Sequence, residues 1–224
     1  MIYKFLPLIL FCAFSFKPLN TADLEKNVIS NTDPKLIASN AKVALETKCK
    51  TFYTTIDSNN LSLPKFDSFF AAFQGYEQLK AQGKITNEIL TIIDFSLSSI
   101  EERMWVIDMK TQKVILKSLV AHGRNSGVEF ATNFSNENES YKSSLGFYLT
   151  GEVYQGKHGL SLRLDGMEYG INDKARDRAV VIHGADYVSK KLARAQGYIG
   201  RSQGCPAVPY EVHKKLIESI KDKS

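Results

Sequence analysis

The chain opens on an almost unbroken apolar run. Between Phe5 and Phe16 only Ser15 is polar, with Lys4 before the run and Lys17 after it. Twelve residues reach about 18 Å as a helix, short of the about 30 Å of a bilayer's hydrocarbon core. A charged start, a short apolar run and a polar continuation predict a secretory signal over 1–15. Ala13 and Ser15 are the small residues expected before a cut after Ser15. Retention as an anchor is the alternative, and the bulky Phe11 argues against a lipidated Cys12. Residues 16–32 are polar and irregular, and read as a linker.

Helical spacing follows. Asp33-Pro34 supplies an N-cap and a first helical residue, and Leu36, Ile37, Val43, Ala44 and Leu45 continue as a stripe to about Lys48. A second helix is predicted over 65–82, with Phe66, Phe69, Phe70, Phe73 and Tyr76 near one face and Gly83 as its stop. Aromatics at that spacing read as core. Residues 33–88 are therefore expected to form a helical segment packed on the domain that follows.

From Ile89 the period changes. Strands are predicted at Ile89–Phe95, Met104–Met109, Lys113–Ala121, Phe147–Thr150, Ser161–Leu164 and Ala179–Ile182. Short strands punctuated by glycine predict a mainly β domain over 89–224, sandwich or barrel-like. Residues 124–143, rich in Asn and Ser, read as a long loop of the kind that is often functional. A closing helix fits Pro209–Ile220, with Val212, Leu216, Ile217 and Ile220 inward.

Composition narrows the class. With 43% hydrophobic and 24% charged residues in 224, the chain is globular and long enough to bury a core. Its net charge of +5 is spread, with acids between the bases, so no nucleic-acid partner is expected. That charge suits either an anionic polymer or plain solubility. No later segment is apolar enough to span a membrane, and the mature chain is expected to be a monomer. Loss of the signal would leave Cys49 and Cys205. An oxidising compartment would permit a bridge between them, which would silence either as a nucleophile; the sequence leaves that pairing open.

The segment from Val180 to Pro209 carries the candidate chemistry. An apolar strand delivers His183-Gly184, and Ser202-Gln203-Gly204-Cys205-Pro206 follows. A strand end is a rigid mount for an imidazole, and a neighbouring imidazole can take a thiol's proton. A thiol–imidazole pair with backbone N–H donors suffices for acyl transfer. Pro206 has no N–H, so an oxyanion would lean on the N–H groups of Gly204 and Cys205. Other constellations carry less. Ser39-Asn40-Ala41-Lys42 has the S-x-x-K spacing of serine D,D-peptidases, but no K-T-G follows. A zinc site from His122, His158, His183 and Cys205 lacks any close ligand pair, and neither metal nor cofactor is expected.

His183-Gly184 followed by Ser202-Gln203-Gly204-Cys205 resembles the catalytic motif of the YkuD-like L,D-transpeptidases, in the divergent branch described as the murein L,D-transpeptidase catalytic domain. Asp94-Phe95-Ser96, Val120-Ala121-His122-Gly123, Phe134-Ser135-Asn136, Ser143–Tyr148 and Gly156–Leu162 resemble it too, so the likeness runs over roughly 66–209. It implies a bacterial enzyme of the periplasm or cell envelope acting on peptidoglycan stem peptides, donor tetrapeptide and acceptor amine. In that picture Cys205 attacks the third stem residue, His183 is the base, and the Gly184 carbonyl orients the imidazole. The thioester then passes to an amine and makes a 3→3 crosslink. With water as acceptor the same pair gives an L,D-carboxypeptidase or endopeptidase; a non-catalytic envelope-binding module is the third reading. Two departures stand out. Gln203 replaces the family's usual His, and Pro206-Ala207 follow the cysteine where Arg or Asn is common. Arg201 is then the nearest cation for a substrate carboxylate. Arg201, Ser202, Gln203 and Gly204 are the expected substrate-binding residues, with His122 and His158 either lining the site or holding turns.

Overall fold

The computed structural model describes residues 34–224, so the expected signal and linker lie outside the described residues. The chain divides after Ala44 into two units, and Leu45–Ser224 holds every strand. Helix α1 (Pro34–Thr55) runs past its predicted end at Lys48. Leu36, Ile37 and Val43, expected on an inward stripe, are exposed. The stripe that packs comes later, with Cys49 buried and Leu45, Phe52 and Tyr53 partly buried around it.

Helix α2 (Phe66–Ala81) buries Phe69, Phe73, Tyr76 and Leu79, the aromatic face read from the sequence. Its Gly75 is a docking notch. A Cβ there would lie 2.2 Å from the Phe147 ring, so only glycine lets that ring seat on the helix.

Strands β1 (Ile89–Ile93), β2 (Met104–Asp108) and β3 (Lys113–Ser118) form an antiparallel sheet in that order. Asp108 closes the β2–β3 turn by accepting the N–H groups of Lys110 and Thr111 at 2.9 and 3.0 Å. Successive strand residues face opposite sides, and β2 uses both. Met104 and Val106 join one core with Leu162, Leu164, Ile182 and the last helix. Trp105 and Ile107 join the other, with Cys49 of α1 and the α2 aromatics.

The second sheet runs β4 (Tyr148–Gly156), β5 (Gly159–Gly166), β6 (Val181–Gly184), β7 (Ala207–Val208). The first two pairings are antiparallel and the last is parallel. β4 and β5 are longer than predicted, because a register shift between Thr150 and Val153 breaks the alternation a sequence reading relies on. Lys157-His158 form the hairpin tip between paired Gly156 and Gly159. Helix α3 (Lys190–Gln196) was not predicted. Ser189 Oγ accepts the Leu192 N–H at its start and Gly197, at φ +77, ends it, but seven mostly polar residues present no stripe. Helix α4 (Tyr210–Ile220) buries Leu216, Ile217 and Ile220 as expected. Full burial of such a side chain is worth about 1.5–3 kcal/mol.

Residues 124–143 hold no regular element, as read from the sequence. Side chains tie them down instead. Ser126 Oγ accepts the Ser143 N–H at 2.9 Å, and Asn136 Nδ2 donates to Asp173 at 2.7 Å. The fold is mainly β, with helices from the N-terminal side and α4 flanking two sheets. Among the described residues no helix is long and apolar enough to cross a membrane.

Candidate active site

The parallel pairing of β6 with β7 sets His183 against Ala207 and Gly184 against Val208. Cys205 precedes Ala207 by two residues, so the imidazole strand and the thiol loop reach the same edge of the sheet. Both side chains line a cleft of about 730 Å³. Its walls are the β4–β5 tip, the stretch before β6 and part of the 124–143 loop. Cys205 is half-buried, and its thiol donates to the Ala179 carbonyl at 3.7 Å. Ala179 sits at φ +53, a left-handed conformation that costs an ordinary residue roughly 1–2 kcal/mol.

His183 is buried, and its Nδ1 lies 2.9 Å from the Gly184 carbonyl. A carbonyl only accepts, so Nδ1 carries the proton and Nε2 keeps its lone pair. Burial pulls the imidazole below its ordinary value. Its bond to Gly184 opposes that shift, while His158, Lys157 and His213 reinforce it. That shift favours the neutral ring, the form able to accept a proton. His158, at the hairpin tip, stacks on it with centroids 4.5 Å apart and planes at 22°.

The turn bearing the thiol is held by its own side chains. Ser202 Oγ donates to the Cys205 carbonyl at 2.6 Å and accepts the Gly204 N–H at 3.0 Å. Ser202 therefore builds the turn. Gly204 adopts φ +122, and a Cβ on it would meet the Lys142 carbonyl at 2.8 Å. Its N–H is spent on Ser202, which leaves only the Cys205 N–H of the two donors read from the sequence. Burial raises the Cys205 thiol; the Val181 N–H, Arg178 and Lys157 pull the other way.

The remaining expected residues divide. Arg201, Ser202, Gln203 and His158 line the cleft; Gly184 and Gly204 are buried behind it. Arg201 is exposed and spends Nη1 on the Arg124 and Gly127 carbonyls at 3.3 and 3.1 Å. His122 is fully buried and does not line the cleft. Its Nδ1 accepts from Arg103 at 2.7 Å, and its Nε2 donates to the Gly127 carbonyl at 3.2 Å. Burial first, then the Arg103 charge, pull it down to about 4. Its contribution is through the backbone. The His122 carbonyl accepts the Ser202 N–H at 2.9 Å, bracing the cysteine turn. Cys49 and Cys205 are both free thiols. Burial in the aromatic core pushes Cys49 up to about 11. Among the described residues no group of three or more His, Cys, Asp or Glu gathers as a metal set.

Several cleft residues escaped the sequence reading, and one of them stands out. Arg178, five residues before His183, lines the cleft beside Cys205. Its only signal was alternation with Arg176 in Arg176-Asp177-Arg178, which does not say which arginine turns inward.

Comparison with known proteins adds one match: the family described as the L,D-transpeptidase catalytic domain, over residues 59–224. No curated protein and no solved structure matches the chain. That match takes in both sheets, the cleft and every cleft residue named above, and the chain belongs to the L,D-transpeptidase catalytic domain family.

Proposed function

We propose that Cys205 and His183 are the nucleophile and base of an exported, monomeric cysteine L,D-transpeptidase that crosslinks peptidoglycan stem peptides. One observation carries the reading. The β6–β7 register brings His183, with Nε2 free to accept, and the Cys205 thiol into one cleft.

In this mechanism His183 Nε2 takes the Cys205 proton, and the thiolate attacks the carbonyl of the third stem residue. The Cys205 N–H faces the oxyanion. Collapse expels the terminal D-residue as an amine, which takes its proton from His183. The Cys205 thioester then yields to an amine of a second stem, giving the 3→3 crosslink and restoring the thiol. The Gly184 carbonyl holds the ring through both proton transfers. Because Cys49 is a free thiol in the core, no bridge to it occupies Cys205. Export rests on residues 1–15 as a cleaved signal, and the intact mass of protein recovered from the envelope checks the cut after Ser15.

The test uses the mature protein and its Cys205→Ala variant, each incubated with disaccharide-tetrapeptide muropeptides and read by mass spectrometry. Crosslinked dimers that vanish in the variant are expected. Tripeptides alone would replace transfer with L,D-carboxypeptidase activity by the same pair. Equal turnover in both samples would overturn the role of Cys205.

A further inference from the structure

Arg176 and Arg178 stand two residues apart and live in opposite settings. Arg176 is exposed and pairs with Asp165 and Glu152. Arg178 is half-buried, and its hydrogen-bond partners are all neutral. Its Nη1 donates to the Ser135 carbonyl at 2.8 Å and to Ser144 Oγ. Its Nη2 donates to the Lys142 carbonyl at 2.6 Å and to Ser140 Oγ at 3.3 Å. All four acceptors belong to residues 135–144, whose Asn138, Glu139 and Tyr141 line the cleft.

Two consequences follow. Both terminal nitrogens are spent on the loop, so Arg178 is not poised as a clamp for a substrate carboxylate. Its charge, in contrast, is not cancelled by an ion pair. A partly buried guanidinium without a carboxylate is costly unless a nearby anion uses it. The group that can supply that anion is close at hand. Nη2 lies 3.4 Å from where a Cβ on Gly204 would stand, directly before Cys205. Ala179, directly after Arg178, gives its carbonyl to the Cys205 thiol.

We propose that Arg178 is a positioning residue for the Cys205 chemistry: it fixes residues 135–144 as a cleft wall, and its unpaired charge favours the thiolate at Cys205. The proposal rests on the reading of Cys205 as nucleophile. Other groups share the cleft. Lys157 adds positive charge from the β4–β5 tip, as does Arg201 from the cysteine loop; Asp177 and Glu139 oppose them, and Glu137, paired with Lys174 beyond the cleft lining, also acts on Arg178. His183 and the stacked His158 stand on the side of the base, and Tyr141, Tyr154 and Tyr187 line the remaining wall. None of these is tied to the 135–144 wall by a four-bond fork.

The test measures alkylation of Cys205 by iodoacetamide against pH in the full-length protein, with peptide mapping to separate Cys205 from the other cysteines. Turnover on tetrapeptide muropeptides is measured in parallel. In Arg178→Met, Cys205 should react at least about fivefold more slowly at pH 7, with its profile moved to higher pH, since an opposite charge nearby lowers a thiol's pKa. Arg178→Lys keeps the charge and loses the fork. It should alkylate within about twofold of wild type yet lose about tenfold in kcat/KM, since one ammonium cannot reproduce the planar fork. Arg176→Met should change neither. A wild-type alkylation profile in Arg178→Met, with Cys205→Ala inactive, overturns this proposal alone. Turnover in Cys205→Ala removes the nucleophile reading and this proposal with it. If circular dichroism finds Arg178→Met unfolded, Arg178→Lys decides: a kept profile with lost turnover upholds the proposal, and a profile moved to higher pH overturns it.

Discussion

His183 and His122 begin as near twins. Each ends an apolar stretch, is followed by glycine, is buried and contacts a backbone carbonyl. Their hydrogen bonds make them opposites. His183 gives its Nδ1 proton to Gly184, so the nitrogen farther from the backbone keeps a lone pair beside the cleft. His122 must accept at Nδ1, because Arg103 can only donate, and its Nε2 proton goes to Gly127. The first ring can take a proton from a thiol. The second has both nitrogens engaged and a cation against it. The difference lies in which atom each neighbour offers, and residue type does not determine that.

The largest effect should come from breaking the ring that has a free lone pair. His183→Gln should lower kcat/KM on tetrapeptide muropeptides by about 10³-fold or more, the scale of losing a general base that activates the nucleophile. Steady-state kinetics check this, and a loss under tenfold would mean another group takes the proton.

Next in size is acid stability. The unfolded chain protonates His122 near its ordinary value, whereas the folded chain does so only at about 4. Stability from this group is therefore full above pH 6.5 and is lost as pH falls toward 4, amounting to about 3 kcal/mol. Denaturant unfolding at pH 7, 5.5 and 4.5 should follow that decline. Asp94 and Asp108, both held below their usual carboxylate value, lose stability only at lower pH and so fall outside this window.

His122→Gln sharpens the contrast. It should cost about 2–3 kcal/mol through lost buried hydrogen bonds and remove the His122 share of the decline between pH 6.5 and 4, leaving the share of His183, which burial also lowers. The acid limb of kcat/KM should stay where it is, because the proposed mechanism assigns that limb to His183.

The smallest effect belongs to His158→Ala. Removing the stacked ring lessens the burial of His183 and removes an interaction that pulls it down, so the imidazole should move up. The proposed mechanism requires the neutral ring, so the acid limb should begin at a higher pH than in wild type. A pH–rate profile decides it.

Much of this was legible in the chain. The aromatic stripe of α2, the β2–β3 hairpin and the apolar face of α4 follow from spacing alone, since each buries one face of a regular period. His183-Gly184 and the cysteine loop were legible as chemistry. The parallel β6–β7 pairing that unites them was not, because β7 is two residues long and shorter than any readable alternation. The settings of His122 and Arg178 were illegible for a related reason. Both depend on carbonyls and hydroxyls of an irregular loop, where no period says which atoms turn inward. The exposed Leu36, Ile37 and Val43 mark the converse failure: apolar residues at helical spacing are not buried by the spacing alone.

The most direct test of the Cys205–His183 reading is to trap the thioester. The mature protein is mixed briefly with a tetrapeptide muropeptide, quenched in acid and weighed intact, then mapped by peptide mass spectrometry. A tripeptide-acyl adduct on Cys205, absent from Cys205→Ala and nearly absent from His183→Gln, is the expected result. Turnover that proceeds undiminished in Cys205→Ala, or an acyl group found on any other residue, would contradict it.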